Sequence, residues 1–188
     1  MKISKKKAAE NRELILTSAA KLFRERGVSG VGVDALGEAA GMTHGSLYSQ
    51  FGSKEKLLAE ALDFGFERTG AMAARLNPSV EEAISRYLTP GHRDTPGSGC
   101  FMAALGGDMP RQGAKVRSSF TRIVKGAAAR LGEMLPETRG TSRERQDEML
   151  ASVASMVGAM ILARAVDDKK FSEHILTVTR SKLLKDLT

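Results

Sequence analysis

Between Thr43 and Gln50 the chain gathers short polar and aromatic side chains of the kind that meet a nucleic acid. Thr43 precedes a short helical run and can cap it, while the helix N-terminus so formed favours a phosphate. Gly45 has no side chain, so the backbone there can come close to a duplex. His44, Ser46 and Ser49 project from the exposed side of the run, with Gln50 next to them. Gln pairs with adenine through two hydrogen bonds, whereas Ser is versatile and discriminates weakly. Tyr48 offers a hydroxyl to phosphate and a ring edge to a thymine methyl. Ser53 caps the next helix, and Lys54 adds a cation near a second phosphate position.

These side chains need a frame. Val33, Leu36 and Ala40 form an apolar stripe on a predicted helix over residues 33–40. Gly37 lies where the two short helices would cross most tightly, and Gly41 supplies the left-handed turn that ends the first of them. Met42 plugs the turn into the core, and Leu47 anchors the second helix, residues 44–50, from below. Helix, tight turn, helix is a device that lays a short helix in the DNA major groove. The candidate DNA-binding set is therefore Gly32, Val33, Met42, Thr43, His44, Gly45, Ser46, Leu47, Tyr48, Ser49, Gln50 and Lys54.

Outside this motif the pattern is helical, with no alternating strand signal and no internal repeat. Helices are predicted over residues 8–26, 54–76, 80–88, 114–135, 142–166 and 172–187, with a short apolar segment over 100–107. Residues 89–99, rich in Pro and Gly, and residues 136–141 are expected to be loops. The expectation is an all-α protein of about nine helices. Residues 1–52 would form a DNA-binding domain with a basic arm (Lys2, Lys5, Lys6, Lys7), and 53–188 a regulatory and dimerisation domain.

Composition narrows the class. A 41% hydrophobic share with 27% charged residues fits a globular fold, and a net charge of +7 fits a polyanionic partner. The single cysteine, Cys100, rules out an intrachain disulfide and fits a reducing compartment. No signal peptide is visible. The uncharged stretch 149–163 is shorter than the roughly 20 apolar residues of a membrane span, so a cytoplasmic protein without membrane contact is expected. The three histidines are scattered, and no catalytic, metal-binding or cofactor pattern is present. Neither an enzyme nor a cofactor or metal protein is expected.

The second domain offers candidates of another kind. Phe64, Phe66, Met72, Leu88, Cys100, Phe101, Met102 and Phe120, with Met134, could line a pocket for a small apolar effector. Cys100 could instead sense an oxidant or electrophile. Residues 149–163 are apolar or small almost all round, and a helix with no wet face is buried on every side. Ser152, Ser155, Gly158, Ala159, Leu162 and Ala163 are therefore expected at a homodimer interface. A reading from a different class is a basic helical module for anionic membrane surfaces or proteins.

AAKLFRERG (residues 19–27) together with LGEAAGMTHGSLYSQFGSKEKLL (residues 36–58) resembles the TetR/AcrR family of one-component transcriptional regulators. The resemblance implies a three-helix DNA-binding head, joined by a fourth helix to an all-helical ligand-binding and dimerisation body. Such proteins bind palindromic operators as dimers, mostly as repressors. By this similarity Thr43, Gly45, Ser46, Tyr48 and Lys54 fall on DNA-contacting positions, and the last two helices form a four-helix dimer interface. Three positions depart from the pattern. His44 stands where Lys is common, Ser49-Gln50 replaces a frequent His-containing pair, and Gly32 replaces a capping Thr.

Overall fold

A computed structural model describes residues 5–187, and among these the chain is helical with no strand. Ten α-helices follow in order: α1 Lys5–Arg26, α2 Val33–Ala40, α3 His44–Phe51, α4 Lys54–Leu76, α5 Val80–Tyr87, α6 Pro90–Asp94, α7 Phe101–Leu105, α8 Ala114–Glu133, α9 Ser142–Ala165 and α10 Lys169–Leu187. Three single 3-10 turns lie between them at Pro96–Ser98, Met109–Arg111 and Glu137–Arg139.

Most boundaries follow local chemistry. Gly27 ends α1 at φ 70°, and Asn77 ends α4 in the left-handed region just before Pro78. Ser79 with Glu82, and Thr141 with Glu144, form reciprocal capping boxes on α5 and α9. Asp168 accepts from the backbone amides of Lys170 and Phe171 at the start of α10, at 2.8 and 3.0 Å.

Three expectations change. Lys5, Lys6 and Lys7 form the first turn of α1 rather than an arm, because lysine favours helix and nothing before Ala8 breaks it; Lys2 lies outside the described residues. The expected loop 89–99 contains α6 and a 3-10 turn. Thr89 accepts from the His92 amide at 3.2 Å and Pro90 sits at the first helical position, where a proline is tolerated. Finally, α9 is long and apolar enough to cross a membrane by length and composition, since its capping box starts it well before Met149. In the fold it packs between α8 and α10, with Met149, Met156 and Met160 buried.

Two cores result. One joins α1, α2 and α3 to the first half of α4, to α7 and to α8 through Phe23, Leu36, Leu47, Leu58, Leu62, Leu105 and Val116. The other is built by α5, α9 and α10 around Ile84, Leu88, Met149, Met160 and Leu176. Helix α4 packs on both α1 and α8, so it belongs to both the head and the body.

Candidate nucleic-acid interface and internal cavity

The turn between α2 and α3 is fixed by backbone chemistry. Gly41 adopts φ 64°, ψ 31°, and its amide bonds the Glu38 carbonyl at 3.0 Å while the Met42 amide bonds that of Gly37 at 2.8 Å. This pair of bonds satisfies the last carbonyls of α2. A Cβ on Gly37 would stand 2.7 Å from the Met42 carbonyl oxygen, so the close crossing demands glycine. Thr43 caps α3, accepting from the Ser46 amide at 3.3 Å. Gly32, at the N-cap of α2, provides no side-chain bond.

The predicted DNA-binding residues fall into three groups. Gly32, Thr43, His44, Gly45, Tyr48 and Ser49 are exposed on one side of the motif, Tyr48 by 44%. A Cβ on Gly45 would meet nothing within 4 Å, leaving room for a close approach. His44 is tethered: its Nδ1 lies 2.8 Å from Asp34 Oδ1 and its ring stacks on Tyr48 at 4.9 Å. Asp34 was not singled out from the sequence, though it lies in the first turn of α2 beside His44 at the start of α3.

A second group, Ser46, Gln50 and Lys54, is half-buried and hydrogen-bonded within the chain, and the exposed Ser49 also bonds there. Ser46 Oγ accepts from Gln50 Nε2 at 3.2 Å, and Ser49 Oγ donates to the Ser46 carbonyl at 2.9 Å. Lys54 Nζ donates to the Val28 carbonyl at 2.6 Å, so its charge first serves to hold the α1–α2 connection. The third group supports rather than faces outward. Leu47 is 3% exposed in the core, and Val33 and Met42 pack against it, because the α3 stripe that anchors the motif must point inward. Arg12 braces the motif from α1: it stacks on Phe51 at 4.4 Å and pairs with Glu60.

In the body a cavity of about 340 Å³ lies between α4, α5, α7, α8 and α9. Of the predicted lining, Phe66, Cys100, Phe101, Met102 and Met134 are present. Met72 is 65% exposed, since α4 turns Phe66, Thr69 and Ala73 inward and Met72 away. Phe64 packs on the head core beneath Arg68, Leu88 is buried among α5, α9 and α10, and Phe120 sits one turn short of the α8 stripe that begins at Ile123. Tyr87, His92 and Arg130 are lining residues that a search for Met and Phe passes over. Arg130 shares the α8 stripe with Ile123, Ala127 and Met134, so helical spacing alone carries the signal.

His92 stitches this wall together. Its Nδ1–H donates to the Tyr87 carbonyl at 2.8 Å, and its Nε2 accepts from the Cys100 amide at 3.2 Å. Both bonds require the neutral ring, and burial holds its pKa below the usual value. The Tyr87 hydroxyl is buried with no hydrogen-bond partner among the described residues, and burial, with the Cys100 thiol nearby, pushes its pKa up.

The cavity is tied directly to the head. Arg24, at the end of α1, lies 4.2 Å over the Phe101 ring and donates through Nε to the Gly97 carbonyl at 2.8 Å. Nearby, the Val28 amide donates to Asp108 Oδ2 at 2.9 Å.

On α9 the predicted interface residues divide. Ser152, Ala159 and Ala163 are buried within the chain itself, because their side of the helix faces neighbouring helices. Ser155, Gly158 and Leu162, the last 57% exposed, lie on an open side that continues onto Ile175, Val178 and Thr179 of α10 as a shallow groove.

Known proteins share this architecture. Residues 15–61 match the family of bacterial regulatory proteins described as the tetR family. An uncharacterised helix-turn-helix transcriptional regulator of Mycobacterium tuberculosis is 26% identical, over 94% of this chain and 95% of its own. The transcriptional repressor DhaR of a Mycobacterium species is 24% identical over 92% of each chain. The fold superposes on reduced Escherichia coli NemR with a TM-score of 0.76 at 22% identity, covering 93% of this chain and 95% of that one. Motif, fold and relatives agree: residues 15–61 carry the DNA-binding motif of the tetR family, and the chain along most of its length is similar to helix-turn-helix transcriptional regulators.

Proposed function

We propose that the protein is a cytoplasmic, ligand-responsive repressor that binds a palindromic operator as a homodimer and is released by a small, largely apolar effector. Residues 1–52 act as the reading head and 53–188 as the sensing and dimerising body, with α4 shared between them. The observation that supports this reading is the contact of Arg24 in α1 with Phe101 in the cavity wall, which joins that wall to the head. Dimerisation is supported by the open apolar side of α9 and α10, where a second copy buries Leu162 and Val178. Two heads must enter successive major grooves about 34–36 Å apart, so an effector favouring another spacing releases DNA by shifting populations.

The DNA contacts proposed are those of the sequence reading, with Thr43, His44, Gly45, Tyr48 and Ser49 foremost because they are exposed. The test is a mobility shift of the upstream region of its own gene with excess nonspecific DNA. A specific band at moderate salt that Tyr48→Ala weakens about tenfold, with the dimer intact by sedimentation, is expected. Absence of any specific band across neighbouring promoters removes the reading.

Cys100 supports a second reading, sensing of an oxidant or electrophile. It is half-buried on the cavity wall and lies within electrostatic reach of Arg24 and Arg164. Cys100→Ser separates the two. Unchanged induction fits a noncovalent effector, whereas lost oxidant response with operator binding kept fits the thiol.

A further inference from the structure

The ligand-responsive reading leaves the effector's chemistry open, and Arg130 narrows it. Its guanidinium lies 4.0 Å from the centroid of the Phe66 ring, and both residues line the cavity. The same guanidinium rests against the backbone of Gly70, where a Cβ would overlap it, and Gly126 makes room for the Phe66 ring in the same way. Two glycines on facing helices thus seat one stacked cation.

No carboxylate among the described residues comes within ion-pair distance of Arg130. Arg12, Arg93, Arg122 and Arg139 are paired with Glu60, Asp94, Asp63 and Glu148, and the partly buried Arg24 and Arg164 donate to backbone carbonyls, whereas Arg130 has neither kind of partner among the described residues. A half-buried guanidinium keeps its charge, and stacking occupies its faces while leaving its edge of N–H donors open to a planar acceptor. The rest of the lining is mostly apolar, with Met102, Ile123, Leu131, Met134 and Met156 among its side chains. The Tyr87 hydroxyl, buried without a partner, gives a bound molecule a second hydrogen-bonding point. At about 340 Å³ the space lies near the small end of ligand cavities, which run from about 300 to 1,000 Å³.

We propose that the effector is an amphipathic organic monocarboxylate, its apolar body enclosed by the cavity and its carboxylate held edge-on by Arg130. One guanidinium matches one negative charge. A phosphate dianion would leave charge uncompensated beside an apolar wall.

Calorimetry on the full chain without DNA tests this, with the straight-chain acids from hexanoate to dodecanoate and with phenylbutyrate, each against its primary alcohol. At least one acid should bind about tenfold or more tighter than its alcohol, as a charge-assisted bidentate contact predicts. Arg130→Gln should erase that preference while alcohol affinity holds. Arg130→Lys should keep part of it, and it carries the comparison if the Gln variant melts early. The proposal is overturned if alcohols bind as well as acids throughout, if no member binds, or if Arg130→Gln keeps the preference. A mobility shift with the tightest ligand separates the two levels. An acid that binds but leaves operator bound counts against ligand-responsive release alone, whereas an alcohol that binds and releases operator as well as its acid counts against the carboxylate alone.

Discussion

Head and body use glycine against different neighbours. In the head, Gly37 is pressed against a backbone carbonyl, that of Met42, which cannot give way without unmaking the turn. In the body, Gly70 and Gly126 face the far ends of the Arg130 and Phe66 side chains, which can rotate. The crossing at Gly37 is therefore set by main-chain geometry. At Gly70 and Gly126 the cavity wall is set by side chains that can move.

The contrast can be broken by substitution. Gly37→Val should have the largest effect, destabilising by about 3 kcal/mol or more, since rotamer changes cannot relieve a clash with backbone. Thermal melting should show the loss, and operator binding should vanish with it. Gly126→Ala should cost less, about 1–2 kcal/mol, as the Phe66 ring moves aside. Its distinguishing readout is altered ligand affinity with operator binding kept; equal damage to both would erase the distinction. Thr43→Ala removes the α3 cap and should cost about 1 kcal/mol in denaturant titration.

The smallest effect is pH-dependent. Burial holds the His92 pKa below 6.5 in the folded protein, so on acidification the unfolded chain takes up its proton first. Stability should therefore fall as pH drops below 6.5 towards the lower folded value, and His92→Asn should flatten that part of a melting-temperature profile. An unchanged slope would mean that the neutral ring is not what binds Tyr87 to Cys100.

The head was legible because its instructions are local. Gly41, Thr43 and Ser53 each specify a cap or turn within a few residues, and the structure uses all three that way. The body resisted because its chemistry depends on which way a helix faces. Met72 and Phe66 look equivalent as apolar residues on α4, yet one is in solvent and the other in the cavity. Thr89-Pro90 carried a helix-start signal that the surrounding Pro and Gly obscured. The bonds of His92 join residues on three elements, and no spacing rule anticipates them.

The Arg24 and Asp108 contacts bear on how this regulator could be re-engineered. A chimaera cut between residues 52 and 53 would take Arg24 and Val28 away from Gly97, Phe101 and Asp108, which stay with the other half. The transferable reading unit is thus not a continuous stretch of sequence. A new head grafted onto this body keeps these contacts only if the graft also supplies an arginine and a free amide at the end of its first helix.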